Sequence, residues 1–332
     1  MSKWTIEKIT LPLSVDWKIT RGQTKVKENL IVTYSDGKLS GKGEVSFLTG
    51  AGQTIEEAQE AFNQFLQLVP REVNGLEDFL QILEEGDFPA HLKSALETAY
   101  VGFLAELMQD TTQRVLGLRE VSSIETSMSI PHMDLSKVES YIETNNLHRF
   151  SALKVKITSS EDIEFLKEIS RIYKGPLRID GNECFSQAKD CLKFIEKLQG
   201  LNIQFLEQPL DRREFNESIE VRKNSPYMIF ADESLQEGRV IDDFQLGFHG
   251  INVKLSKAGG YYKAQRQLKE ARELGLKTML GCMVETSLGI SCTMNIAHGV
   301  DYFDLDGFLL LKEDPFQYIY EEKGRLYYSH QQ

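Results

Sequence analysis

Apolar positions follow two rhythms along the chain, and the change from one to the other falls near residue 120. Before it, residues 4–11 and 30–34 are extended in character, and Ser35-Asp36-Gly37 reads as a hairpin turn into the next polar-apolar run. Two tightly joined strands are predicted. Over residues 54–68, Ala58, Ala61, Phe62, Phe65 and Leu66 recur at helical spacing, and Thr54 followed by Glu56 and Glu57 supplies a start. A further helix is predicted over 89–108, where the small residues Ala95 and Ala99 suit close packing against a sheet or another helix.

After residue 120 short apolar runs alternate with amphipathic stretches. The runs are 152–157, 177–180, 203–206, 228–231, 250–253, 278–280 and 302–306. Helical spacing fills 161–173, 186–198, 215–222, 239–246 and 261–274, most clearly where Ile163, Leu166, Ile169 and Ile172 line one face. Strand-then-helix units repeating at about 22 to 27 residues mean parallel strands with crossover helices, and this many in succession favour a closed barrel. An open doubly wound sheet is the rival. It is weakened by the absence of GxGxxG and GxxxxGK[ST].

Composition narrows the function. The 332 residues carry 38 basic and 50 acidic side chains, a net charge of −12 that gives no electropositive footprint for nucleic acid and none for a membrane surface. Apolar content of 41% against 27% charged is ordinary for a folded globular chain, which rules out a disordered one. The start MSKWTIEKITLPL lacks the apolar core of a secretory signal, and no stretch approaches the ~20 apolar residues of a membrane span, so a cytoplasmic chain is expected. Four cysteines without a CxxC pair are read as reduced thiols, and six histidines without HExxH spacing offer no zinc site. Any metal would need oxygen ligands. His298, in the apolar stretch MNIAHG, is read as a packed histidine, and one of Trp4 and Trp17 as a core residue.

In a parallel barrel the chemistry sits at the carboxyl ends of the strands. Five successive runs end in charge: Lys154-Val155-Lys156, Asp180-Gly181-Asn182, Glu207-Gln208, Asp232-Glu233-Ser234 and Lys254. A lone charge there is usually a solvated rim residue. Five in a row are harder to dismiss. Residues two apart on a strand point the same way, so Lys154 and Lys156 face one side together and their repulsion is expected to lower the pKa of at least one. Asp180, Glu207 and Asp232 offer three carboxylates from adjacent strands, which suits a hard divalent ion with Mg²⁺ the natural occupant. Lys254 would lie across the barrel axis from Lys156. Such a site suits removal of a proton α to a carboxylate, with the resulting enediolate charge stabilised by the metal. A base on each face inverts the carbon, whereas a single acting base gives β-elimination or cycloisomerisation.

The segments KVK at 154–156, DGNECF at 180–185, FLEQPL at 205–210, ADES at 231–234 and VKLSKAGG at 253–260 resemble, in order, the motifs of the enolase superfamily, muconate-lactonizing subgroup. The resemblance implies a modified TIM barrel, (β/α)7β, of class α/β with an α+β N-terminal capping domain. It places the cap at 1–120, completed by the tail 315–332, and the barrel at 121–314. It further implies one Mg²⁺ per subunit on Asp180, Glu207 and Asp232, the acid-base pair Lys156 and Lys254, Lys154 at the substrate carboxylate, and Asn182 and Glu233 in support. Lys257, in LSKAGG, competes with Lys254 for the base role but follows the strand rather than ending it. GKGEV at 41–45 resembles the cap segment before a mobile substrate loop.

Asp304-Leu305-Asp306 resembles the DxD signature of the dipeptide epimerases, whose paired carboxylates hold the substrate's α-ammonium. MVETSLG at 283–289 resembles the Met-x-Glu-Ser segment, which brings in Met283. ETSMSI at 125–130 resembles the segment after the first barrel strand, which puts Ser129 at the substrate. In glutamate-selective relatives an early-loop arginine pairs with the substrate side chain; Gly22 falls at that position here and Arg21 one residue away, so Arg21 is a candidate only. The expected activity is Mg²⁺-dependent dipeptide epimerisation, with a small-molecule dipeptide as partner and the oligomeric state open, a homo-oligomer included. The alternatives are an o-succinylbenzoate synthase or other cycloisomerase, an N-acylamino-acid racemase, and a non-catalytic acid-binding member.

Overall fold

The computed structural model describes residues 3–19, 22–47, 52–70 and 73–329; the side chains of 15–19 and 22–24 fall outside that description. Arg21 lies outside the described residues, and so does the side chain of Trp17. Strands β1 (Lys3–Ile19), β2 (Gly22–Ser35) and β3 (Ser40–Val45) form an antiparallel sheet, followed by helices α1 (Ile55–Leu68), α2 (Leu76–Glu85), α3 (Ala90–Met108) and the single turn α4 (Thr112–Val115). The predicted turn is present: Asp36 Oδ1 accepts from the amides of Lys38 and Leu39, both at 2.8 Å, with Gly37 at φ 96°. The hairpin runs further than predicted, out to the Ile19↔Gly22 pair, with Lys25, Val26 and Glu28 exposed on its second strand.

Thr54 caps α1 through a capping box with Glu57, as the sequence suggested. Helix α3 lies directly on the sheet. A Cβ at Gly41 would come 2.0 Å from the Ala99 carbonyl oxygen, and one at Gly43 2.1 Å from that of Ala95. The glycines and the alanines thus let two backbones meet. Trp4 is the core tryptophan, stacked on Phe79 at 5.4 Å and edge-on to Phe65 at 5.1 Å.

The second body is an eight-stranded parallel sheet, ordered as the chain runs. Its strands are β5 (Met128–Ile130), β6 (Leu153–Lys156), β7 (Leu177–Asp180), β8 (Ile203–Glu207), β9 (Met228–Ala231), β10 (Gly250–Val253), β11 (Lys277–Gly281) and β12 (Tyr302–Asp304). The ends approach one another, with the Ser127 amide donating to the Phe303 carbonyl at 3.2 Å, so the sheet is a nearly closed barrel. Its crossovers are α5 (Leu135–Thr144), α6 (Ile163–Ile172), α7 (Ala188–Lys197), α8 (Phe215–Asn224), α9 (Phe244–Gly247), the short α10 (Leu255–Ala258) with α11 (Tyr261–Glu273), and α12 (Ser287–Met294). The helix expected over 239–246 shrinks to α9. Its first half is held instead by α11, whose Glu270 accepts from Arg239 Nε at 2.7 Å and from the Val240 amide at 2.9 Å.

Two cap carboxylates fasten the cap to barrel helices. Glu44 accepts from the Thr286 and Gly289 amides, each at 3.1 Å to Oε2, at the start of α12. Glu97 accepts from the Tyr262 amide at 2.9 Å, at the start of α11. The tail was expected to complete the cap. Its strands β13 (Ile319–Glu322) and β14 (Arg325–Tyr328) pair with β4 (Ser123–Glu125) instead, since that short strand offers them an open edge just before the barrel. His298, expected to be packed, is exposed beyond the end of α12. All four cysteines are free thiols. Among the described residues no helix is long and apolar enough to cross a membrane.

Candidate active site

Parallel register stacks the barrel interior in layers. Lys154 pairs with Arg178 and Arg178 with Phe205, while Lys156 pairs with Asp180 and Asp180 with Glu207. Stepping two residues along each strand therefore moves from a lower layer to the carboxyl-end layer. Asp180, Glu207, Asp232, Lys254, Asp304 and Asp306 are all buried at that end, with Lys156 half-buried, and the buried Lys154 reaches up to them from the lower layer. Strands β6 and β10 stand four apart in the ring of eight, which puts Lys156 and Lys254 on opposite sides of the axis.

Lys156 Nζ lies 2.9 Å from Asp180 Oδ2 and 3.3 Å from Asn182 Oδ1. Across the barrel, Lys254 Nζ donates to Asp232 Oδ2 at 2.8 Å, and Lys257 donates to Asp232 Oδ1 at 2.5 Å and to its backbone carbonyl. Lys257 thus clamps Asp232 from the loop. Lys154 reaches three carboxylates: Asp304 at 2.7 Å, Glu207 at 2.8 Å and Asp180 at 3.2 Å. Asn182 Nδ2 donates to Glu233 Oε1 at 3.3 Å.

The expectation that paired lysines would lower one pKa fails for Lys154. Burial works against its charge, yet Asp180, Asp304 and Glu207 outweigh that and hold it well above the ordinary lysine value. Lys254 is raised likewise, burial being overcome by Asp232. Lys257 is lowered, because burial dominates there. Asp180 and Asp232 stay below the usual carboxylate range despite burial, Asp180 through Lys154 and Lys156 and Asp232 through Lys254 and Lys257. Glu207 is pushed up to about 7 by burial, since Lys154 offsets only part of that cost.

Glu207 shows why the trio suits a hard cation. Its Oε1 accepts from Asn252 Nδ2 at 2.8 Å, but Oε2, 2.8 Å from Lys154, lies off the angle a hydrogen bond needs and receives none. Among the described residues no three His, Cys, Asp or Glu side chains already stand close enough to grip an ion, and the compensating charge comes from the lysines. Three buried carboxylates with one oxygen left unsatisfied nevertheless form an all-oxygen donor set that fits a divalent ion such as Mg²⁺.

The DxD pair is partly engaged. Asp304 accepts from Ser127 Oγ at 2.8 Å as well as from Lys154, and Asp306 Oδ2 accepts from the Ser129 amide at 2.6 Å. Burial and the neighbouring Asp304 push Asp306 up to about 6. Ser129 belongs to barrel strand β5 itself, where a segment after the first strand was expected. Met283 is half-buried beyond β11, its amide donating to Glu285 Oε1 at 3.1 Å. Asn252, Ser127 and Arg178 were missed in the sequence. Asn252 had a signal, standing two residues before Lys254 on the same strand face.

The barrel, its cap and this ring of charge define the class. Residues 137–319 match the family described as Enolase C-terminal domain-like, which is over half the chain, and the chain belongs to the enolase superfamily. Its relatives include a protein named hydrophobic dipeptide epimerase from Flavobacteria bacterium (strain MS024-2A), 30% identical over 94% of this chain and 91% of the relative. Another, from Maribacter sp. (strain HTCC2170 / KCCM 42371), is named L-Ala-D/L-amino acid epimerase and is 27% identical over 93% and 91%. The substrate-liganded L-Ala-D/L-Glu epimerase of Bacillus subtilis superposes with a TM-score of 0.89 at 25% identity, covering 98% of this chain and 96% of that one.

Proposed function

We propose that the protein is a dipeptide epimerase that inverts the α-carbon of the C-terminal residue by moving one proton off one face and another onto the opposite face. The observation that carries this is the placement of Lys156 and Lys254 on strands four apart in a ring of eight, with the Asp304 and Asp306 carboxylates at the end of β12. Asp180, Glu207 and Asp232 would hold Mg²⁺, which when bound supplies positive charge to the substrate carboxylate as the α-proton leaves. Lys156 and Lys254 act as the base and the acid, exchanging roles with the direction of turnover. Asp180 and Asp232 position the two amines, holding Lys156 at 2.9 Å and Lys254 at 2.8 Å. Lys154 stays cationic and orients the carboxylate, while Asn252 and Lys257 fix the angles of Glu207 and Asp232. Asp304 and Asp306 take the substrate ammonium.

Incubation with dipeptides and Mg²⁺ in D2O tests the reading: one deuterium should enter the α-position of the C-terminal residue and both epimers should accumulate. A second reading, a cycloisomerase of the same superfamily, draws on the engagement of Asp304 by Lys154 and Ser127, which would make the aspartates structural. It requires turnover of a substrate that has no free amine. The cap at 1–120 and the barrel at 121–314 are the division we propose, with the active site between them.

A further inference from the structure

We propose that Gln208 is a positioning residue for the divalent-ion site: it ties the ends of β7, β8 and β9 together and so sets the spacing of the Asp180, Glu207 and Asp232 carboxylates. The inference rests on reading those three as the ligands and adds what holds them in place. Gln208 follows Glu207 directly, at the carboxyl end of β8, and is fully buried. Its side chain crosses to the loop after β9. There Oε1 accepts from the Asp232 and Ser234 amides, both at 3.0 Å, and Nε2 donates to Ser234 Oγ at 2.9 Å; Nε2 also donates to the Leu210 carbonyl at 2.8 Å. Its main chain reaches both neighbouring strands as well. The amide donates to the Phe230 carbonyl at 2.8 Å, two residues before Asp232, and the carbonyl accepts from the Glu183 amide at 2.9 Å, three residues after Asp180. Since β8 lies between β7 and β9, one residue bonds to the segments on either side of its own, and each of the three carries one of the carboxylates.

A carboxamide is the group this junction needs. It offers one oxygen that accepts twice and one nitrogen that donates twice, and all four capacities of Gln208 are used. The backbone is held in a costly shape at the same place. Gln208 has φ 36°, Asn182 φ 41° and Glu183 φ 64°, so three of the seven positive-φ residues other than glycine, among the described residues, sit just beyond Asp180 and Glu207. Glutamine has no intrinsic preference for that region, and its contacts are what keep it there. The strand ends also meet closely, for the Gly181 amide donates to the Glu207 carbonyl at 2.8 Å and a Cβ on Gly181 would come 2.6 Å from Pro209 Cα. Asp232 is otherwise gripped by lysines, Lys254 on Oδ2 and Lys257 on Oδ1 and the carbonyl, whereas its amide is held by Gln208.

The test is a calorimetric Mg²⁺ titration of the whole chain, run beside a denaturant unfolding curve. Gln208→Met keeps the side chain's length and removes its four hydrogen bonds, while Gln208→Asn suits the left-handed backbone but stops one methylene short of the Asp232 and Ser234 amides. In both, the Mg²⁺ Kd should rise by about 10- to 100-fold, the scale on which groups that orient metal ligands act. Ser234→Ala removes a single bond and should raise the Kd by about threefold. A side chain that served the fold alone would lower the unfolding midpoint and leave the Kd of the folded protein unchanged, and that result would overturn the proposal. Glu207→Gln, titrated in parallel, separates the two readings. Weaker binding there with unchanged affinity in the Gln208 variants would sink the positioning role alone; unchanged affinity in Glu207→Gln as well would take Glu207 out of the ligand set and the proposal with it.

Discussion

Two layers inside the barrel are made by the same strands, two residues apart, and they solve opposite problems. The lower layer holds Phe205, Phe230 and Met279, all fully buried, with Tyr302 against them. Phe205 stacks on Phe230 at 4.3 Å, and the Arg178 guanidinium covers Phe205 at 5.4 Å and Tyr302 at 5.3 Å. Two residues further along, the layer above carries charge on four strands, Asp180 above Arg178, Glu207 above Phe205, Asp232 above Phe230 and Asp304 above Tyr302, with Gly281 above Met279. Below, dispersion and burial suffice for the rings, and the Arg178 guanidinium donates to Gln204 Oε1, Ser127 Oγ and the Phe303 carbonyl. Above, every carboxylate needs a lysine, an amide or a cation, because a buried charge without compensation is too costly to keep. The lower layer is a dry floor and the upper layer is the reactive surface laid on it.

Substitutions can pull the layers apart. The largest expected effect is on turnover: Lys156→Ala or Lys254→Ala should lower epimerisation by about 10²- to 10⁴-fold, measured by polarimetry on protein whose fold is checked by denaturant titration. Phe230→Ala should do the reverse, costing about 3–5 kcal/mol of stability in a urea titration, because the cavity it leaves opens the floor. If Phe230→Ala left stability unchanged, the lower layer would not be the platform described.

Glu207→Gln should weaken Mg²⁺ binding in a calorimetric titration, and Asn252→Ala, which frees Glu207 Oε1, should weaken it or the activity by about 10- to 100-fold. Unchanged affinity in Glu207→Gln would remove that residue from the ligand set. The smallest expected effect belongs to the aspartates. Acetylating the amine of a dipeptide should lower kcat/KM by about 10- to 100-fold, the value of one charge-assisted hydrogen bond, and the ratio should shrink in Asp306→Asn. Equal turnover of the acetylated substrate would move the cycloisomerase or N-acylamino-acid racemase reading ahead.

The upper layer was legible because charge at the end of an apolar run is visible in a sequence. Lys156, Asp180, Glu207, Asp232 and Lys254 are conspicuous for that reason, and the barrel strands that carry them lie where the apolar runs fall. The lower layer was hidden, since Phe205 and Phe230 within those runs look like any core residue until their stacking with one another is seen. Arg178 was hidden too. Long-range partners left no local trace: Lys154 on Asp304 spans 150 residues and Glu44 on Thr286 spans 242. Lys154 departs from the lysine pKa expectation on the same ground, because the three carboxylates that surround it come from other strands.

The central claim is that Lys156 and Lys254 serve opposite faces of one carbon, and isotope washout in the two single variants tests it most directly. Each purified variant, with Mg²⁺ in D2O, is given the L,L- and the L,D-dipeptide separately, and α-deuterium is read by mass spectrometry. Lys156→Ala should exchange one epimer and Lys254→Ala the other, neither producing the inverted product at the wild-type rate. Exchange of the same epimer by both variants would contradict the two-face account.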